Sequence, residues 1–243
     1  MIWLNYRGGG APENSSLRGK KAGFTLAEVL ITLGLLGVVI AMTLPTLYNR
    51  NLYKTLEAGL KKNYTIILQA FDLYYAKNGE KLTPDIIKGN GTDVSLKSLI
   101  MPYFKVLIDC GANGENNPKE CITLNSPYKT FNGQINRIIA LFDDGQFVIE
   151  DGSIILIEDM QGSKYKFISV DVNGRNKNPN RWGYDLFTFE LMDNGQILPM
   201  GAPETRYTDK NEYCSQTSTN VYNGIACTYY AINEKNYFTN LSN

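Results

Sequence analysis

From Phe24 to Leu44 the chain runs for 21 residues with one charge, Glu28. As a helix this run is about 31 Å long at ~1.5 Å per residue, enough to cross the hydrocarbon core of a bilayer. Arg18, Lys20 and Lys21 precede it. Basic residues hold that end in the cytoplasm, so the rest of the chain is exported. Three kinds of segment fit this outline. A cleaved secretory signal has a shorter apolar stretch of ~7–15 residues with a small-residue site behind it; here only Ala41-Met42-Thr43 follows. A plain membrane anchor accounts for length and flanking charge but gives no reason for a carboxylate at the fifth position. A leader cut ahead of the run, after Gly23, leaves the helix on the mature chain.

Composition narrows the chemistry. The chain has 24 basic and 24 acidic side chains and no histidine. That removes Ser-His-Asp and Cys-His catalysis, His-ligated zinc and histidine acid–base work. Zero net charge is unlike a generic nucleic-acid scaffold. A hydrophobic share of 43% supports a packed core. The 25 Asn, 22 Gly and 16 Tyr point to a loop-rich, partly β head.

Lys20-Lys21-Ala22-Gly23 followed by Phe24-Thr25-Leu26-Ala27-Glu28 resembles the prepilin peptidase site of type IV pilins and type II secretion pseudopilins. Counted from Phe24, Gly37 is fourteenth and Pro45 twenty-second, where such pilins commonly carry Gly and Pro. The resemblance covers Lys21 to Pro45. It implies that Gly23 supplies the small residue on the leader side of the cut, that Phe24 becomes the N-methylated terminus, and that Glu28 recognises the growing filament. It also implies partners: prepilin peptidase, other pilin or pseudopilin subunits, and an assembly platform with its ATPase at the inner membrane.

Elementary electrostatics bears on Glu28 independently. A carboxylate in lipid costs about 2.5–3.5 kcal/mol on insertion scales, so it needs a partner. After cleavage the nearby cation is the α-amine of Phe24, from the same chain or a neighbour. A neighbour's amine fixes the axial stagger between subunits. The simpler alternative is that Glu28 snorkels to the headgroups. Gly37 and Ala41 form a small-xxx-small pair that permits close helix packing. Pro45 cannot donate to the Ala41 carbonyl and is expected to kink or loosen the helix.

Beyond Pro45, Leu52, Leu56, Leu60, Tyr64, Ile67, Phe71 and Tyr74 recur at three- and four-residue spacing, one apolar face of an amphipathic helix that Asn78-Gly79 ends. The whole helix is expected to span about 54 residues, roughly 80 Å. A turn is expected at Thr83–Asp85, a short helix over Ser95–Phe104 and a loop from Asp109 to Cys121. Short β runs follow at Arg137–Phe142, Gln146–Glu150, Ser153–Glu158, Tyr165–Val170, Leu186–Leu191 and Gln196–Leu198. Asp-Gly and Asn-Gly turns punctuate them, predicting an antiparallel meander of four to six strands. Residues 200–243 read as a polar tail, helical at most over Asn223–Asn233. The fold class is therefore α+β: a long N-terminal helix, membrane-spanning in its first half, packed on an antiparallel head. The division is 1–23 leader, 24–45 transmembrane and assembly helix, 46–78 amphipathic continuation, 79–243 head.

Four cysteines allow three pairings. Cys110 with Cys121 and Cys214 with Cys227 is the expected set, since each pair brackets a loop with little else to hold it and export permits oxidation. Reduced, buried cysteines are the alternative; a metal–thiolate cluster lacks Cys-x-x-Cys spacing. In the stretch Asp171 to Glu190, the oxygens of Asp171, Asn173 and Asp185 can suit Ca²⁺. The stretch begins like an EF-hand loop, but Trp182 stands where the bidentate Glu belongs. The plainer reading is an Asx-rich loop bonding its own backbone. The stretch also resembles an Asp-x-Asn-Gly segment of pseudopilin-like proteins. Apart from that possible Ca²⁺, no cofactor is expected. The carboxylate pairs Asp143/Asp144 and Glu150/Asp151 fall in expected hairpin turns, and no phosphate-binding glycine motif follows a strand.

The expected function is therefore that of a structural subunit, not an enzyme: a pseudopilin or minor pilin, cut after Gly23. It is held single-pass in the inner membrane with its head outside the cytoplasm, then assembled into a type II secretion or type IV pilus-like filament. DNA binding stays open as an alternative but is not indicated, because loss of the leader leaves 20 basic against 23 acidic side chains, net −3. A membrane-anchored surface adhesin or carbohydrate-active enzyme, with its activity in the head, is the other reading.

Overall fold

The structure, a computed structural model, describes residues 23–89, 94–112, 119–123, 128–134 and 141–241. The chain divides into two units, Met1–Pro45 and Thr46–Asn243. One helix, α1 (Leu26–Asn78, 53 residues), begins in the first unit and ends in the second. In the second unit its apolar face is the predicted one: Leu56, Leu60, Ile67, Phe71 and Tyr74 are buried, and Leu52 and Tyr64 are partly covered. Asn78 and Gly79 end it, with Gly79 at φ 77°, a left-handed value that suits a residue without Cβ.

After α1 come a one-turn 3-10 segment at Pro84–Ile86 and the short helix α2 (Leu96–Ile100), which continues into a 3-10 turn at Met101–Tyr103. Ser95 caps α2 by accepting the Ser98 N–H at 3.1 Å. Six strands follow: β1 (Val106–Gly111), β2 (Gly145–Ile149), β3 (Ile154–Glu158), β4 (Phe167–Asp171), β5 (Leu186–Leu191) and β6 (Ile197–Pro199). They form one antiparallel sheet in chain order. The meander is as predicted, with two corrections. The segment opening the expected Asp109–Cys121 loop is strand β1, paired with β2. Residues 137–140 of the expected strand Arg137–Phe142 lie outside the described residues, and Leu141 and Phe142 are not strand.

Period-two alternation sends side chains of the central strands into two cores. Phe147, Ile155, Ile157, Ile168, Val170, Phe187 and Phe189 face α1. Val148, Ile154, Leu156, Phe167 and Leu186 enter a second core with Cys110, Cys121, Tyr128, Trp182, Met200 and Ile225. On the second core's face of the sheet, polar groups stay satisfied: Ser169 and Thr188 share a hydrogen bond at 2.8 Å, and Trp182 Nε1 donates to Thr188 Oγ1 at 3.2 Å.

The expected polar tail is corrected most. Residues 200–241 form α3 (Lys210–Tyr213), α4 (Cys227–Asn233) and α5 (Tyr237–Asn240). Met200, Ile225, Ala226, Ala231, Tyr237 and Phe238 are buried. The apolar residues are too scattered among Asn, Ser and Thr to show a period, yet each finds a partner: Phe238 packs on Phe187, and the Tyr237 hydroxyl donates to the Gly183 carbonyl. Disulfides join Cys110 to Cys121 and Cys214 to Cys227. The second closes the tail where Gly224 and Ala226 donate to the Tyr213 carbonyl.

Leu60 is fully buried between α1 and the sheet, so Leu60→Ala is expected to lower unfolding free energy by ~2–5 kcal/mol. Urea denaturation of the detergent-solubilised chain measures this. Replacing Cys214 and Cys227 together with Ser should cost ~2–4 kcal/mol by the same measurement.

Candidate functional site

The first site is the start of α1. Gly23 precedes the helix, and Phe24 is 89% exposed. Thr25 and Glu28 form a reciprocal cap: the Thr25 N–H and hydroxyl each donate to Glu28 Oε2 at 2.8 Å, and the Glu28 N–H donates to Thr25 Oγ1 at 3.2 Å. This satisfies free N–H groups of the first turn and holds the carboxylate beside residue 24. Thr25 was absent from the predicted site. Its signal was present in the sequence as Thr-x-x-Glu before an apolar run.

From Phe24 to Leu44 the large apolar side chains are exposed on every face of the helix; Leu30, Leu35 and Leu44 are 61%, 64% and 58% accessible. A Cβ added at Gly34 or Gly37 meets nothing within 4 Å. Pro45 lies inside α1, and the helix is continuous there. A helix apolar all round is built for lipid or for other helices rather than for water. This one is long and apolar enough to cross a membrane.

The second site is the β4–β5 connection, where the expected metal ligands lie. Asp171 ends β4 and Asp185 precedes β5, and both are fully buried. The Val172 N–H donates to the Asp185 carbonyl at 2.9 Å, so the two residues close the base of the loop. Asp171 accepts from the Tyr128 hydroxyl and from the N–H groups of Asn173 and Gly174. Asp185 accepts from the N–H groups of Asn180 and Arg181 at 2.7 and 2.6 Å. Asn173 Nδ2 reaches the Asn178 carbonyl, and Asn180 Nδ2 the Arg175 carbonyl. These are the self-directed Asx bonds of the plainer reading. A Cβ at Gly174 (φ 82°) meets the Gly152 carbonyl at 2.5 Å, so only glycine fits there. Trp182, Phe187 and Phe189 are core residues.

Burial, then the Asp171 carboxylate, push Asp185 well above the usual carboxylate range; burial holds Asp171 up at about 6. None of the ion pairs among the described residues involves either group. Helix α1 braces the loop. Asn63 Nδ2 donates to Ser153 Oγ at 3.0 Å, and Ser153 Oγ donates to the Val172 carbonyl at 3.1 Å. Gly59 permits close approach, since a Cβ there meets Val172 at 3.2 Å.

A third cluster was not foreseen. Asp143 and Asp144 lie just before β2, at the end of the long connection from its partner β1 rather than in a tight hairpin turn, and carboxylate oxygens of both lie within 4.8 Å of those of Glu158 on β3. Burial, then Asp144, Asp143 and Asp159, raise Glu158 to about 8. Between its ordinary value near 4.5 and 8, the folded state holds a proton that the unfolded state releases, so stability falls as pH rises through that window. Urea midpoints from pH 5 to 8.5 should therefore decline in the parent chain, and Glu158→Gln should flatten that decline.

No curated protein and no solved structure matches the chain. Residues 18–44 match the prokaryotic N-terminal methylation motif, so the chain carries the prepilin-type signal of type IV pilins and pseudopilins.

Proposed function

We propose that the chain is a structural subunit, a pseudopilin or minor pilin. Prepilin peptidase cuts it between Gly23 and Phe24, Phe24 is N-methylated, and α1 assembles with other subunits into a type II secretion or type IV pilus-like filament. The chief support is a helix that is apolar on every side over Phe24–Leu44, with its single carboxylate one turn from the expected new terminus. Before assembly, lipid receives that surface and the apolar helix anchors the chain single-pass in the inner membrane, head outside. In the filament, neighbouring helices take the place of lipid, drawn together by close packing at Gly34, Gly37 and Ala41.

Cleavage creates an ammonium at Phe24 where the uncut chain has a neutral amide. The Thr25 cap holds Glu28 at that end of the helix. A neighbouring subunit's terminal ammonium opposite Glu28 neutralises both charges in low dielectric, and displacement by one helical turn leaves both unmatched. Axial register follows from that difference. The role requires no catalysis by the head.

N-terminal sequencing of the membrane-extracted protein should read from Phe24 and, in cells lacking the peptidase, from Met1. Glu28→Ala should still insert into the membrane yet be lost from sheared filaments. Its normal incorporation would overturn the register mechanism, and a mature chain starting at Met1 would overturn the whole reading.

A further inference from the structure

We propose that Arg50 and Lys54, on α1 just past the apolar run, bind the headgroups of anionic phospholipids in the outer leaflet of the membrane. The inference rests on the single-pass anchor with the head outside and adds a lipid partner at its exported end. Arg50 stands six residues beyond Leu44 and Lys54 ten. Along a helix that is about 9 and 15 Å past the end of the run. The headgroup layer adds about 5–8 Å to each side of the hydrocarbon core, and both side chains are long enough to bend back into it.

The first observation is charge without an internal partner. No acidic residue occurs between Glu28 and Glu57, so the segment from Pro45 to Leu56 carries +2. Arg50 and Lys54 are exposed, and their four-residue spacing puts them on one face of α1. None of the ion pairs among the described residues includes either of them. Lys61 and Lys62, farther along the helix, are by contrast held by Glu57 at 2.5 Å and Asp151 at 2.8 Å.

The second observation is the setting. Leu47 and Tyr48 are 55% and 69% exposed, and contact with the core of the head begins only at Leu52 and Tyr53. An exposed Leu–Tyr pair at this depth suits the membrane interface, with the apolar bodies toward lipid and the hydroxyl toward water. Basic residues on the exported flank oppose the charge bias that orients such a helix, so insertion gives no reason for them. A contact made after export does. The bilayer lies beside these residues for as long as the subunit is stored in it. A zwitterionic headgroup supplies its own cation, so a net anionic one gains more from two unpaired cations. The contact holds the base of the head at the membrane until the subunit is extracted.

The full-length chain is reconstituted in phosphatidylcholine bilayers with a trace of spin-labelled phosphatidylglycerol or spin-labelled phosphatidylcholine. Electron paramagnetic resonance reads the share of each label that the protein immobilises. Phosphatidylglycerol should be favoured at least ~3-fold at low salt, and the preference should shrink in ~1 M NaCl, where the screening length is about 3 Å. Arg50→Gln combined with Lys54→Gln should lose most of the preference, and Arg50→Lys combined with Lys54→Arg should keep it. Basic residues of the leader act equally in all of these chains, so the difference belongs to α1. Equal immobilisation of both lipids by the parent chain overturns the proposal. So does a parental preference in the double Gln variant. No immobilised lipid with either label instead overturns the membrane anchor itself.

Discussion

The sheet of the head is buried on both faces, and the rest of the head is arranged around that requirement. Every residue of β2, β4 and β5 is buried. An antiparallel sheet can leave one face in water; this one needs two covers. The α1 segment of the second unit supplies one. The other comes from irregular chain: the segment near Cys121, the β4–β5 loop with Trp182, and the turns from Met200 to Ile225. Irregular backbone over a core needs its polar groups tied down. That explains why side chains such as Gln146, which exchanges two hydrogen bonds with the backbone of Ile122, are buried.

The β4–β5 loop shows the same economy at higher charge density. Two carboxylates serve as acceptors for five donors, and so convert a stretch rich in Asn and Gly into a defined turn system. Helix α1 touches that system at Gly59 and, through Ser153, at Asn63. The loop, the β2–β3 turn and the second-unit part of α1 are therefore tied to one another by direct packing and hydrogen bonds. The apolar run of the first unit and the loops of the head are distinct in kind: the former exposes large apolar side chains on every face, and the latter are polar groups mostly hydrogen-bonded within the chain.

Several features could be read from local pattern. The processing signal rests on adjacent residues. The buried face of α1 rests on a 3.6-residue period, and the hairpins rest on alternation broken by Asp-Gly or Asn-Gly. Others could not. Asn63 sits on α1 beside exposed Lys62 and reads as a surface residue, yet it is fully buried because Ser153, 90 positions later, offers it a partner. β1 was masked by its irregular pairing: two register shifts within six residues blur the alternation of Val106–Gly111. The acidic cluster joins Asp143 and Asp144 to Glu158 across the β2–β3 pair, a proximity created by strand pairing alone.

By itself the sequence determined what depends on near neighbours along the chain: the processing motif, the extent of α1, the apolar run that water cannot solvate, and the order of β2 to β6. The tertiary structure alone decided how residues 200–241 pack and how the buried carboxylates of Asp171 and Asp185 gather backbone N–H donors from the loop between them. It also decided that Glu158 holds its proton so strongly. The physical reason is the same throughout. Period and turn chemistry act over a few residues, whereas burial, desolvation and the pairing of polar atoms are set by whatever the folded chain brings alongside.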